Sequence, residues 1–251
     1  MTIRVGVGGW TYEPWRGVFY PEGLRQADEL KHSSRQLTAI EINGTFYGSQ
    51  KPASFKKWHD ETPDDFQFSL KGPRYAVNRR VLGEAGESID RFFTTGLDQL
   101  GDKLGPILWQ FAGTKQFQAD DMAAFVALLP EKLGERRLRH ALEVRHESFR
   151  DPAFLDLARR HNIAAVFADA DKYPTPLDAA DEPTADFVYA RLQRCAEDVD
   201  TGYDGPALDA WAEVARGWSA GGKRDVFVYF ISGAKVRAPA AAVALIERLG
   251  R

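Results

Sequence analysis

The sequence predicts an α/β protein that closes into a TIM-type (β/α)8 barrel, with one domain over residues 1–251. Three observations predict it. Eight short runs rich in Val, Ile, Leu and Phe alternate with stretches of helical periodicity, as buried parallel strands joined by crossover helices should. The segments after strands are long and those leading into strands mostly shorter, the asymmetry of a barrel whose site lies at the C-terminal face. No change of composition, repeat or low-complexity linker divides the chain, and 251 residues suit a barrel built as one unit.

In chain order, the first strand is predicted over 3–9 and is followed by the long segment 10–26. The second covers 39–43. The third, 66–71, leads into a second long segment, 72–87. The fourth is placed at 107–111, before a helix over 119–129 in which Met122, Phe125, Val126 and Leu129 recur at helical spacing. The fifth covers 140–145, and Asp151-Pro152 reads as a helix cap followed by proline at the first helical position. The sixth covers 164–169. Its crossover, through 186, holds Pro174, Pro176 and Pro183 with little helical period, so an irregular sixth unit is expected. The seventh strand, 187–193, precedes the segment 194–205 and a helix over 208–218. The eighth, 225–231, precedes a helix over 240–249. An open doubly wound sheet is the rival fold, but it would need a reason to use eight strands.

Composition excludes little and directs little. The chain is 44% hydrophobic and 27% charged, ordinary for a globular protein. A net charge of −3 gives no overall pull toward nucleic acid or an anionic membrane. Cys195 is the single cysteine, so no disulfide forms within the chain, and it reads as structural. No apolar run approaches the ~20 residues of a membrane span. M-T-I-R-V-G-V-G-G-W lacks a secretory pattern, and a cytoplasmic location is expected.

Side chains alternate along a strand with period two, which sorts each predicted strand into an apolar and a polar face. Apolar faces such as Ile40/Ile42, Phe66/Phe68/Leu70 and Leu142/Val144 suit packing under helices. The opposite faces place Glu41, Asn43, Lys71, Gln110, Glu143, Arg145, Arg191 and Gln193 toward the barrel interior, mostly near strand ends. Asp169 ends the sixth strand, and Trp10 and Tyr12 follow the first. Buried ions must be paired, hydrated or in use, so convergence in one polar pocket at the mouth is expected. An ion-paired layer that only fills space is the competing reading.

The residue types suggest chemistry. Lys71, Arg145 and Arg191 favour an anion, with Arg74, Arg79 and Arg80 adding charge near the entrance. Trp10, Tyr12, Phe46 and Tyr47 offer aromatic walls for a sugar or base. Glu41 and Glu143 are the candidate acid–base pair. A divalent metal could draw on Glu41, Glu143, His146 and Asp169, but no spacing signature supports one, and no metal or cofactor is predicted. His32, His59, His140 and His161 read as surface or element-end residues. G-V-G-G-W at 6–10 is not a dinucleotide fingerprint, and the serine-hydrolase elbow G-x-S-x-G does not occur.

Several motifs carry a resemblance. G-G-W-T-Y-E-P-W-R-G-V-F-Y-P at 8–21, E-I-N-G-T-F-Y at 41–47, L-G-P-I-L-W-Q-F at 104–111 and A-L-E-V-R-H-E-S-F at 141–149 occur in order. T-A-D-F-V-Y-A-R-L at 184–192 and V-F-V-Y-F at 226–230 follow them. The chain resembles the YecE-like family, a domain of unknown function, over nearly its whole length. The resemblance implies a TIM-type barrel and retains Glu41, Asn43, Glu143, Arg145, His146 and Arg191 as site candidates; it supplies no reaction. Two stretches depart from the family pattern: Gln193-Arg194 stand where it typically has histidine and glycine, and Ile231-Ser232-Gly233 where it usually carries asparagine.

The expectation is an enzyme that hydrolyses or isomerises a small anionic or sugar-like substrate at the C-terminal mouth. Glu41 or Glu143 would handle protons, while Trp10, Tyr12, Asn43, Lys71, Gln110, Arg145, His146, Asp169 and Arg191 would bind substrate. Two alternatives stand beside it: a protein that binds or processes nucleic acid, and a non-catalytic metabolite-binding or interaction module.

Overall fold

The computed structural model describes residues 2–250. Eight parallel strands form the barrel wall. They are β1 (Ile3–Gly8), β2 (Ala39–Ile42), β3 (Gln67–Lys71), β4 (Leu104–Gln110), β5 (His140–Glu143), β6 in two pieces (Ala164–Ala165 and Phe167–Asp169), β7 (Phe187–Leu192) and β8 (Asp225–Phe230). Each pairs with its sequence neighbours, and β1 pairs with β8. The two pieces of β6 close the circle. Ala164–Ala165 pairs with β5 and Phe167–Asp169 with β7, and between them the Val166 N–H donates to the Leu142 carbonyl.

Most strands fall one residue short of the reading at one end, the fifth stops at Glu143 rather than Arg145, and two depart further. β4 begins at Leu104 rather than 107, although Gly105 and Pro106 are poor strand formers. The register against β3 shifts between Phe68 and Leu70, and a Cβ on Gly105 would lie 3.0 Å from the Phe68 carbonyl oxygen, so the backbones approach closely there. β6 is interrupted because its two halves serve different neighbours. The irregular sixth crossover is as expected: no helix forms between 170 and 186. A small antiparallel hairpin, Lys132–Leu133 with Arg136–Arg137, sits in the fourth crossover without a signal in the sequence reading.

Helices cover the outside. Pro152–Arg160 starts as the sequence implies, with the Asp151 carboxylate accepting from the Ala153 N–H. Gly205–Ser219 is capped by Asp204, and Ala238–Arg248 returns along β1 and β8. The apolar parity faces form a large core between strands and helices, including Ile40, Phe68, Leu70, Trp109 and Leu142. A second, smaller core fills the barrel itself, with Ala39, Leu108, Ala141, Phe187, Tyr189, Phe227 and Tyr229. Gly6 faces this interior wall, where a Cβ would lie 1.8 Å from the Ala39 carbonyl oxygen. At the N-terminal end, Arg139 pairs with Asp225 at 2.8 Å, and Arg4 and Arg139 both lie over the Phe227 ring. These contacts occupy the N-terminal end of the barrel interior.

His140 starts β5, an element end as expected, and is buried. It accepts from Trp109 Nε1 at 3.1 Å and meets the Pro130 carbonyl through Nε2 at 2.8 Å. Burial outweighs the Pro130 bond and brings it down to about 4, so it is a neutral structural group.

Candidate functional site

The polar parity faces meet at the C-terminal ends of the strands. Arg191 of β7 is at the centre. Its Nε and Nη2 donate to the two oxygens of Glu41, each at 3.1 Å, and its Nη1 donates to Glu143 Oε2. Glu41 Oε2 also accepts from the Tyr189 hydroxyl at 2.8 Å. Glu143 Oε2 accepts from Gln110 Nε2 at 2.7 Å, and Glu143 Oε1 accepts from Arg145 Nε and Nη2 at 3.0 and 2.8 Å. β2, β4 and β5 each contribute one member and β7 contributes two, Tyr189 and Arg191, to a continuous charge-assisted network, with Arg145 just past the end of β5.

Burial makes these contacts obligatory rather than decorative. Glu41 is fully buried and Glu143 and Arg191 are each 2% exposed. Burial pushes the Glu143 carboxyl up, but Arg191 and Arg145 beside it, with the bonds from Gln110 and Arg145, hold it at about 2. Burial opposes the charge on Arg191, yet Glu143 and Glu41 raise it above its ordinary value, so it stays a cation.

Lys71, at the end of β3, is different. It is 7% exposed, and its Nζ lies 4.2 Å from the centroid of the Phe46 ring. Burial, followed by the nearby Arg191, outweighs the attraction of Glu41 and Glu143 and brings the ammonium down to about 8. With Arg145 and Arg191, Lys71 gives the ring three cations against two carboxylates when it is protonated.

The remaining sequence candidates divide. Asn43 is half-buried and donates weakly to the Glu41 carbonyl at 3.4 Å; Gly8 leaves it room, since a Cβ there would lie 2.9 Å from Nδ2. Tyr12 lies under Lys235, 4.3 Å from its Nζ, at the meeting of the first and last loops. Trp10 is not gathered with the ring. It packs against Trp58 and Phe68, at 5.2 and 6.4 Å, in the layer under helix Pro52–Glu61, where apolar contact is available on several sides. His146 holds Ser148 through its Nδ1 and caps the short turn Glu147–Arg150. Asp169 belongs to a separate cluster, accepting from the Tyr203 hydroxyl at 2.8 Å and pairing with Arg194 at 3.2 Å. Among the described residues no group of three or more His, Cys, Asp or Glu is placed to hold a metal ion. Burial and then Asp169 push the Cys195 thiol up to about 12, away from nucleophilic use.

Sequence reasoning passed over three participants. Tyr189 shares the parity of Arg191, and that signal alone could have found it. Tyr173 lies 4.5 Å from the Arg145 guanidinium but comes from the irregular sixth crossover, where no period assigns a face. Tyr203 reaches Asp169 from a loop. Gln193, one of the family departures, faces inward with its Nε2 buried and without a hydrogen-bond partner.

A cavity of about 300 Å³ lies beside the ring, lined by Phe46, Tyr75, Arg79, Ser88 and Arg91 among others. Glu41, Glu143 and Arg191 do not line it. Phe46 is the side chain shared between this cavity and Lys71.

The family model described as Protein of unknown function DUF72 matches residues 4–251. UPF0759 protein YecE of Escherichia coli strain K12 is 26% identical over 147 residues, 59% of this chain and 50% of that protein. UPF0759 protein YunF of Bacillus subtilis strain 168 is 24% identical over 159 residues, 61% of this chain and 54% of that protein. The alignments thus span about half the length of these relatives. Among solved structures, a DUF72 family protein from Thermotoga maritima MSB8 superposes over 100% of both chains with a TM-score of 0.80 and 23% identity. A xylose isomerase-like TIM barrel/4-hydroxyphenylpyruvate dioxygenase fusion protein gives a TM-score of 0.58 at 11% identity, over 99% of this chain and 44% of its own. These likenesses carry the barrel fold.

Proposed function

The chain belongs to the DUF72 family, whose function is unknown, and from that premise we propose that it is an enzyme that binds a small anionic or sugar-like molecule at the C-terminal mouth and hydrolyses or isomerises it. The observation that carries this reading is the imbalance of the ring. Both carboxylates are already met by arginine, and Lys71 is left as a cation without a carboxylate hydrogen bond. A ligand phosphate or carboxylate would complete the neutralisation, with Arg145 and Lys71 as its partners and Arg191 holding the carboxylates in place.

The hydrogen bonding favours Lys71 over Glu143 for proton transfer. A carboxyl held at about 2 is a weak base at neutral pH, whereas an amine near 8 gives and takes protons there. Glu41 and Glu143 serve best as groups that orient Arg191 and Arg145. A thermal-shift panel of sugar phosphates, small carboxylates, nucleotides and divalent metals tests the reading. A saturable rise with the phosphate or carboxylate class, lost in Arg145→Ala, is expected. A rise unchanged in Arg145→Ala, or none with any anionic compound, would remove it.

A nucleic-acid reading draws on one observation: Arg74 lies over Tyr75, which is 62% exposed beside the cavity holding Arg79 and Arg91. It predicts oligonucleotide binding that weakens steeply with salt.

A further inference from the structure

The hydrogen bonds of the ring leave one reactive group unassigned. All four carboxylate oxygens of Glu41 and Glu143 accept hydrogen bonds, and Arg191 is spent on them through three nitrogens. Lys71 donates to no protein acceptor among the described residues; its Nζ rests on the Phe46 face. Its backbone is nevertheless held firmly. The Lys71 carbonyl accepts from Thr45 Oγ1 at 2.7 Å, and the following Gly72 N–H donates to the Leu108 carbonyl at 2.8 Å. Gly72 is pinned in turn by Trp109, whose ring would lie 2.4 Å from a Cβ at that position. A lysine with an anchored backbone, a buried side chain and an uncommitted amine differs from a space-filling ion, which would be paired like its neighbours.

We infer that Lys71 is an amine nucleophile that forms a Schiff base with the carbonyl of an aldehyde or ketone bearing a phosphate or carboxylate group. The inference rests on the reading of the mouth as a small-molecule site and names its substrate class. The neutral amine attacks the carbonyl carbon, forming an N–C bond as the C=O π electrons move to oxygen. The carbinolamine then loses that oxygen as water, leaving a C=N bond, and a proton from solvent makes the imine cationic. No oxidant or reductant is needed. The iminium carries the same charge as the ammonium it replaces; burial and Arg191 oppose that charge, and Glu41 and Glu143 offset part of the cost. Arg145, half-buried at the rim and backed by Tyr173, is placed to take the anionic end. Roughly one Lys71 in ten is unprotonated at pH 7, against fewer than about one in a thousand for an ordinary lysine.

The full-length protein would be incubated with pyruvate, dihydroxyacetone phosphate and glyceraldehyde 3-phosphate, each with and without sodium cyanoborohydride. Thermal shift reads binding, and peptide mass mapping reads the trapped adduct. The expected result is an adduct on Lys71 forming at least tenfold faster than on any other lysine, Lys235 included, at a rate that rises through about pH 8. Lys71→Arg keeps the cation and should keep the thermal shift while losing the adduct. If Lys71→Met fails to fold by circular dichroism, the arginine variant alone decides. A thermal shift with no adduct on Lys71, or labelling spread over surface lysines, would overturn the inference and leave the small-molecule reading intact. No thermal shift with any of these probes would overturn the inference, and none with any anionic compound of the wider panel would overturn the small-molecule reading as well.

Discussion

Removing Arg191 is the sharpest perturbation of the ring. Arg191→Met keeps an unbranched side chain of useful volume but deletes three nitrogens that serve two buried carboxylates. The loss is unequal. Glu143 keeps two nitrogens of Arg145 and the Gln110 amide, whereas Glu41 keeps the Tyr189 hydroxyl alone. Leaving one buried charge unpaired typically costs about 3–5 kcal/mol. For a barrel of this size that corresponds to a fall in Tm of roughly 6–20 °C. The partner variant locates the cost. Adding Glu41→Gln removes the stranded charge and should recover about 1–3 kcal/mol, while adding Glu143→Gln should recover nothing, because it strands Arg145. Tm from tryptophan fluorescence and circular dichroism checks each variant. An Arg191→Met protein within about 3 °C of wild type, or a Glu41→Gln addition that lowers its Tm further, would refute this account of the ring.

Two windows of acid sensitivity are expected. His140 is depressed by burial from its ordinary 6.5 to about 4, so the unfolded chain takes up its proton first and stability falls as pH drops through that range. Glu143 is held at about 2 against an ordinary 4.5, so its contribution, about 3 kcal/mol, is present above 4.5 and lost as pH falls toward 2. His140→Gln should flatten the upper window and Glu143→Gln the lower one in plots of Tm against pH; an unchanged slope in either variant would reassign that window. Ser232 adopts a φ of +65°, in the left-handed region that costs a non-glycine residue about 1 kcal/mol or more. Ser232→Gly should raise Tm by roughly 2–4 °C; a fall would mean the serine hydroxyl contributes more than the backbone costs.

The barrel was legible because its signals are local. Strand length, apolar content and period two each follow from the wall being covered by helices outside and filled inside, and each survives in the sequence as a short run. Glu41, Glu143, Arg145 and Arg191 were legible for the same reason: a charge on the inner face of a buried strand must find a partner. What the sequence withheld depends on relations across the barrel. Nothing near Glu143 says that its second oxygen is taken from β7, or that Lys71 would be the cation left over. Trp10 was misplaced because the turn after β1 allows either direction, and packing against Trp58 decides it. Asn43 shows where the unmatched positions of the family pattern meet real space: its amide sits against Gly8, near Ile231 in the chain's last loop. Tyr173 and Tyr203 lie in loops, where periodicity carries no information about facing.

The split in β6 gives the barrel a seam. On one side the ladder is held by Ala164 and Ala165 with the Val166 N–H, and on the other by three residues ending at Asp169. No helix follows to press this stave into place. The staves on either side are β5 and β7, and these carry Glu143 and Arg191. Their ion pair therefore spans the seam and joins the two staves that β6 links only through short ladders. Were the mouth to bind an anion as proposed, occupancy of the ring and tightness of the wall would become one mechanical property, read in the exchange rates of the β6 amides.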